Sequence, residues 1–300
     1  MSTSSIGSDP TLTQPSDQVD STRTAIVAHY EAIFDIEAAR LEQVAPVEHA
    51  ITARHILKRV TPGSVVADVG VGVGHYAELV ARFGCTLQLI DISERFLTAT
   101  RDRLERAGLG ASIRGTHLAS AVRLASLGDD TCDAVLMLGP LYHLPTADAR
   151  VHAVAEAARV LKPGGQLFAA GINRLAYFRD LLRDDPSAIG ARGQRHRSFM
   201  NDGILTPTIA PQIGWAHLTT VVEFRALFGG LFREVALTGV EAFASERQVE
   251  LMRLPAEERE KWLDFIEEVG VTAEGLAAAD HFLFIGTKGP SRADPPSPRR

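Results

Sequence analysis

The sequence has little with which to staple itself: two cysteines, Cys85 and Cys132, in 300 residues. That excludes a disulfide framework and a cysteine-ligated zinc site, and it fits a reducing compartment. Long hydrophobic runs are also missing. The longest stretch without Asp, Glu, Lys or Arg, Gly203 to Val222, is broken by Pro207 and Pro211 and carries Gln212, His217 and four Thr, so it does not read as a membrane span. The more apolar Ala134 to Ala147 is shorter and interrupted by Pro140 and Pro145. The N-terminus has neither the basic start nor the apolar block of a secretory leader, which makes the cytoplasm the expected location. Positive charge is not in excess: 31 Lys plus Arg against 37 Asp plus Glu give −6, which argues against broad nucleic-acid binding. What is there, 45% hydrophobic and 23% charged residues, is ordinary for a globular protein of one or two domains.

Residues 1–22 hold ten Ser or Thr and no aromatic, and residues 289–300 hold four Pro and three Arg. Neither end carries enough apolar surface to order itself, so both are expected to be tails around a folded unit over 23–288. Within that unit an amphipathic helix is expected from Thr22 to Val44, with Ile26, Tyr30, Ile33, Phe34, Leu41 and Val44 on one face, and a second helix from Pro46 to about Val60. Short β-branched runs then alternate with helical segments. Strands are expected at 65–69, 86–90, 111–116, 133–138 and 166–170, and helices at 75–83, 94–107 and 146–161, the last two capped by Ser93 and Thr146. This alternation is the mark of a parallel sheet with helices on both faces. After Asn173 a helix is expected to Arg183. Residues 185–215 then show no clear periodicity and read as a lid or binding loop. A capping box at Thr220–Glu223 opens a helix to Phe228, a strand covers 232–240, helix with a break near Pro255 covers 246–268, and a last strand covers 281–287. The expected fold is α/β: a doubly wound, mostly parallel seven-stranded sheet with one antiparallel edge strand, an N-terminal helical cap (23–60), a core (62–172) and a lid insertion (185–215).

The informative stretch is Asp68-Val69-Gly70-Val71-Gly72-Val73-Gly74-His75, which leaves a strand and enters a helix. Glycines there let the backbone turn tightly and approach a ligand, and Asp91 at the end of the next strand is placed to accept ribose hydroxyls. That placement points to a nucleoside-containing cofactor across the carboxyl ends of the strands. A dinucleotide loop presents N–H groups to a pyrophosphate, which an acid two residues before the first glycine would repel. Asp68 occupies that position, and it suits a cation such as the ammonium of a methionine moiety; the reading is S-adenosylmethionine. The bland alternative for Asp68 is a turn or helix cap, and for Asp91 a cap of the following helix, although Ser93 is available for that role.

Four segments, in order, carry a family resemblance: Val66 to Gly74; Leu89-Ile90-Asp91-Ile92-Ser93; Asp133 to Leu144; and Arg159 to Leu167. Over about 62–172 the chain resembles a class I, Rossmann-like S-adenosylmethionine-dependent methyltransferase of the small-molecule branch. The resemblance implies that Asp68, Gly70 and Gly72 line the methionine part, that Asp91 lines the ribose, that Gly74 and Ile92 also belong to the cofactor site, and that Leu138 and the segment after it lie beside the sulfonium. It departs from the family after the third strand, where an acid often meets the adenine amino group. This chain reads His117-Leu118-Ala119-Ser120 there, which leaves Ser120 or backbone groups for adenine. The N-terminal helix, with Tyr30 and Glu37-Ala38-Ala39-Arg40-Leu41, is similar to one that closes over the cofactor in this branch, with Tyr30 and Arg40 as contacts. The alternative is a Glu37–Arg40 pair within the helix.

For the chemistry, methyl transfer is an in-line displacement in which alignment is the main task, and a base assists when the acceptor holds a proton. His143 and His217 are the candidate bases, and Tyr142, Arg174 and Tyr177 the candidate acceptor contacts. Against these stand packing for Tyr142, helix capping for His143 and a solvated loop for His217. Arg192, Arg195, His196 and Arg197 form a basic cluster that reads most simply as a solvated face of the lid. His281 reads as structural. No His or acidic pair has metal-ligand spacing, so no metal is expected. The expected activity is methyl transfer from S-adenosylmethionine to O, N or C of a small molecule, by a monomer or homodimer that binds neither nucleic acid nor membrane. The alternatives are a nicotinamide oxidoreductase, transfer of an aminocarboxypropyl group from the same cofactor, or binding without catalysis.

Overall fold

A computed structural model describes residues 15–210 and 214–289; at residues 15–22, 37, 42, 191, 192 and 194 it describes the backbone. The chain opens with three helices, α1 (Pro15–Ala32), α2 (Phe34–Gln43) and α3 (Pro46–Leu57). Two expectations are corrected here. The single helix over 22–44 is two, interrupted at Ile33, whose φ of −105° and ψ of 20° leave the helical region. Helix also begins at Pro15, inside the expected N-terminal tail, while the rest of that tail and residues 290–300 lie outside the described residues. Tertiary contacts hold the pair of helices down. Arg95 lies 4.1 Å over the Phe34 ring and donates to the Glu31 carbonyl at 2.6 Å, and Ser93 Oγ donates to Glu31 Oε1 at 2.7 Å.

The alternating core is as expected: β1 (Val65–Val69), α4 (His75–Arg82), β2 (Thr86–Asp91), α5 (Glu94–Arg106), β3 (Ile113–Leu118), β4 (Cys132–Met137), α6 (Ala147–Val160) and β5 (Leu161–Ile172). Every residue of β1 is buried, as a central strand covered on both faces requires. Thr146 Oγ1 accepts the Ala149 N–H at 3.2 Å, the cap foreseen for α6. Ser93 holds the N-cap position of α5 without a side-chain cap bond, because its hydroxyl is engaged by Glu31. The Lys162-Pro163-Gly164-Gly165 turn is an irregularity inside β5, between the pairs Cys132↔Leu161 and Ala134↔Gln166.

After β5 come α7 (Ala176–Asp184), α8 (Ala188–Asp202), the two-residue strands β6 (Ile204–Leu205) and β7 (Ala216–His217), α9 (Val221–Leu227), β8 (Phe232–Gly239), α10 (Gln248–Met252), α11 (Ala256–Gly270), α12 (Ala273–Ala278) and β9 (His281–Lys288). The stretch 185–215 is therefore not structureless. It carries α8 and one half of a small antiparallel hairpin. Its sequence shows little period because the order comes from a local cluster, in which Phe199 packs with Tyr177, Leu205 and Leu218. The capping box at Thr220 and Glu223 forms, and helix breaks at Pro255, as read from sequence.

The sheet order is β3-β2-β1-β4-β5-β9-β8. The first five strands are parallel. β9 pairs antiparallel with β5 on one side and β8 on the other, so the single reversed strand is the last but one and β8 forms the outer edge. One apolar cluster fills the face under α3, α4 and α5, and a second fills the face under α6 and α9. Cys85 and Cys132 are both buried thiols. Among the described residues no helix is long and apolar enough to cross a membrane. In the second cluster the rings of Phe228 and Phe284 stack at 3.8 Å and 8°. Both are 1% exposed, so Phe228→Ala is expected to destabilise the fold by about 3–5 kcal/mol. Urea unfolding should show this as a lower midpoint with an unchanged slope.

Candidate active site

The loop leaving β1 turns on three glycines with φ of 79° at Gly70, 54° at Gly72 and 83° at Gly74. Positive φ is costly for any side chain, and at two of these positions space forbids one as well. A Cβ on Gly70 would sit 2.7 Å from Pro140 Cγ, and one on Gly74 would sit 2.8 Å from Thr100 Cγ2. The Gly70 N–H donates to the Ile90 carbonyl at 2.8 Å, and the Thr100 hydroxyl donates to the Gly72 carbonyl at 2.9 Å. The loop is thereby folded back on the end of β2.

Asp91 closes this arrangement. One of its oxygens accepts the Gly72 N–H at 3.3 Å and the other accepts the Ser93 N–H at 2.9 Å. It is thus both a turn-forming residue and a wall of the site, with lone pairs left on both oxygens for further donors. Asp68 sits inside the ladder, opposite Leu89 on β2 and Leu136 on β4, and the N-cap of α4 is Gly74, so Asp68 caps nothing there. Burial raises the Asp68 carboxyl to about 7, with the neighbouring charge of Asp91 adding to the shift. Burial likewise raises Asp91 to about 6, against the opposing pull of its backbone hydrogen bonds. Two carboxylates held out of water side by side are poorly compensated, and a cation nearby would relieve both.

In front of this loop lies a cavity of about 810 Å³. Gly70, Gly72, Asp91, Ile92 and Ser120 line its inner wall. Leu138 and Tyr142 follow from the end of β4, and Tyr30 and Arg40 reach in from the helical cap. Asp68 and Gly74 lie behind the lining, the first buried within β1 and the second packed on α5. Ile26, Val27, Leu41, Phe96, Ile204 and Trp215 make most of the remaining wall apolar. Nothing local in the sequence marks Trp215 and Ile204 as facing inward.

His143 stands at the junction of cap, core and lid. Its Nδ1 lies 3.2 Å from the Trp215 carbonyl, which can only accept, so Nδ1 carries the proton. Nε2 then accepts the Tyr30 hydroxyl at 2.7 Å. Burial lowers the imidazole to about 4, so the ring is neutral near pH 7. Tyr142 donates its hydroxyl to the Leu138 carbonyl at 3.2 Å and its ring lies edge-on to His143.

Three expected site residues lie elsewhere. Arg174 is buried among the Leu218 and Met200 carbonyls and the Glu223 carboxylate, where it ties the exit of β5 to the lid. Tyr177 packs on Phe199, with its hydroxyl 3.4 Å from His196 Nδ1. His217 is buried in the β6–β7 hairpin, and burial lowers its imidazole to about 4. Local sequence cannot show that a polar residue near a strand end is engaged by a carbonyl 44 residues away. Of the basic cluster, His196 is buried and Arg195 and Arg197 are exposed, while the Arg192 side chain lies outside the described residues. So does the side chain of Glu37, which leaves the alternative Glu37–Arg40 pair outside the described residues; Arg40 donates to Glu48 Oε2 at 2.8 Å. Among the described residues one group of three brings its His and carboxylate atoms all within 4.8 Å of one another, Glu48, Glu241 and His281. They come from three distant segments, so spacing could not reveal them.

A family model described as a methyltransferase domain matches residues 67–169. A ubiquinone biosynthesis O-methyltransferase from Thiobacillus denitrificans is 36% identical over 114 residues, 38% of this chain and 47% of that protein. The mouse tRNA (carboxymethyluridine(34)-5-O)-methyltransferase ALKBH8 is 35% identical over 113 residues, 37% of this chain and 15% of that protein. This chain thus spans less than half the length of these curated relatives. Among solved structures, the Burkholderia thailandensis 1,6-didemethyltoxoflavin-N1-methyltransferase with bound 1,6-didemethyltoxoflavin and S-adenosylhomocysteine superposes with a TM-score of 0.56 at 18% identity, over 94% of this chain and 93% of that one. Residues 67–169 of this chain thus match a methyltransferase-domain model, and the chain shares the α/β fold of that solved methyltransferase.

Proposed function

We propose that this protein transfers the methyl group of S-adenosylmethionine to an O, N or C atom of a small, largely apolar acceptor. The observation that carries this reading is the pair Asp68 and Asp91, two buried carboxyls of raised pKa behind and beside a glycine loop that faces a cavity. An ammonium and a sulfonium are the ligand charges such a pair favours, whereas a pyrophosphate would be repelled, which disfavours the nicotinamide reading. In this reading Asp68 balances the ammonium from behind the loop, Gly70 and Gly72 meet the methionine backbone, Arg40 its carboxylate, and Asp91 and Ile92 the ribose. Ser120 serves the adenine, and Leu138 and Tyr142 flank the methyl. The apolar wall from Ile26, Ile204 and Trp215 supports an uncharged acceptor, and a net charge of −6 disfavours a tRNA. Release of S-adenosylhomocysteine with a mass gain of one methyl on the acceptor separates this from aminocarboxypropyl transfer, which would release 5′-methylthioadenosine.

The reading also assigns a role to His143. A neutral ring that accepts from Tyr30 and donates to Trp215 is a poor base at pH 7 and a good clasp between cap and lid. Alignment and dehydration then supply the rate, through orientation that is worth roughly 7–11 kcal/mol when fully realised. His217 holds the hairpin that presents Trp215.

Three outcomes are expected. Asp91→Asn should weaken S-adenosylhomocysteine binding by roughly 10- to 150-fold in calorimetry, the value of a charged hydrogen bond; unchanged affinity would remove Asp91 from the ribose. Affinity of the wild type should rise between about pH 6 and pH 8, by up to about tenfold per unit below the Asp68 pKa, because the ammonium selects the ionised carboxyl. Titration in buffers of different ionisation enthalpy should show a proton released on binding, and a flat profile would contradict the ammonium contact. His143→Phe should speed hydrogen exchange across 23–43 and raise the acceptor KM, while kcat falls by less than the roughly 10²–10⁴-fold expected of a lost base. A kcat loss in that range with unchanged exchange would make His143 the base.

A further inference from the structure

Nothing on the loop after β3 tells adenine from another purine. His117 to Arg123 holds no acid, and Ser120, which lines the cavity there, carries a hydroxyl that can donate or accept. Such a group meets the 6-position of a purine equally well as an amino or an oxo group. Selecting adenine takes an acceptor-only group opposite its 6-amino group.

A carboxylate of that kind stands on α6. Asp148 and His152, one turn apart on that helix, line the same cavity as Ser120, Ala121 and Val122. Ala121 and Val122 pack in the apolar cluster that holds Ala153 and Val154 of α6. Glu156, the next residue on the stripe of Asp148 and His152, accepts the Leu124 N–H at 2.6 Å. Arg159 donates to the Leu124 and Leu127 carbonyls, each at 2.9 Å. The stripe 148, 152 and 156 therefore runs along the segment after β3, with its first two members at the cavity. The start of α6 is fixed too. Thr146 caps it, and Arg150 Nη1 donates to the Leu144 carbonyl at 2.6 Å and the Pro145 carbonyl at 3.1 Å. We propose that Asp148 is the base-selecting residue of the cofactor site: its carboxylate accepts from the 6-amino group of adenine across from Ser120, and His152 forms the wall beside it. An acid in a first turn also favours the helix itself, but that role is indifferent to which base is bound.

This inference rests on the cofactor reading above, and the test separates the two. The probes are S-adenosylhomocysteine and S-inosylhomocysteine, in which the 6-amino group is replaced by an oxo group and N1 gains a proton. Their affinities are measured by calorimetry. The wild type should bind the adenosyl probe at least about tenfold more tightly, because an oxo group facing a carboxylate opposes two acceptors. Asp148 is exposed, so its substitution leaves the core intact. Asp148→Ala should weaken the adenosyl probe about tenfold, the lower bound for a charged contact, and leave the inosyl probe unchanged or tighter. Asp148→Asn, whose amide can turn its carbonyl or its NH₂ to the base, should hold the adenosyl probe within about threefold of the wild type and tighten the inosyl probe. A wild type without preference, or an Asp148→Ala variant that weakens both probes equally or keeps the wild-type preference, would overturn the inference. A preference lost in Ser120→Ala and kept in Asp148→Ala would return selection of the base to the loop after β3. Failure of the wild type to bind the adenosyl probe would instead defeat the cofactor reading.

Discussion

Two carboxyls that cannot both be comfortably charged dominate this protein. Asp68 lies within the central ladder and Asp91 ends the adjacent strand, each almost without access to water. Their raised pKa values express an unmet demand for positive charge at the inner wall of a cavity. The glycine loop depends on the same geometry. It turns back over β2 because its N–H groups find the Ile90 carbonyl and the Asp91 carboxylate, and it can do so only without side chains at Gly70 and Gly74. Strand ends, loop and acids are thus one object, and the rest of the fold supplies its walls and roof.

The roof is assembled by polar contacts. The cap is held through Glu31 to Ser93 and Arg95, through Tyr30 to His143, and through Arg40 to Glu48. The lid is held through Trp215 to His143 and through Arg174 to the carbonyls around Met200 and Leu218. Such contacts are individually modest and geometrically exacting, which under the proposed function suits elements that admit and release ligands. The sheet beneath is secured differently, by two apolar faces with rings such as Phe228 and Phe284 stacked between elements. Stability and access are in this way assigned to different interactions. Residues expected to meet substrate, Arg174 and His217 among them, belong to the lid's own scaffolding.

The sequence by itself determined the alternating core. β1, β2, β4 and β5 and the helices between them arise from short β-branched runs, glycine punctuation and local caps such as Thr146 and the Thr220 box, all effects that act within a few residues. The glycine loop and Asp91 were legible for the same reason. The tertiary structure alone decided which polar side chains face the cavity and which are consumed by the fold. Glu48, Glu241 and His281 meet from positions up to 233 residues apart, α8 is ordered by an aromatic cluster rather than by its own period, and His143 is bound at both nitrogens by segments that precede and follow it. Hydrogen bonds and ion pairs over such separations leave no periodic trace along a chain, because their partners are set by how the layers close and not by neighbours in sequence.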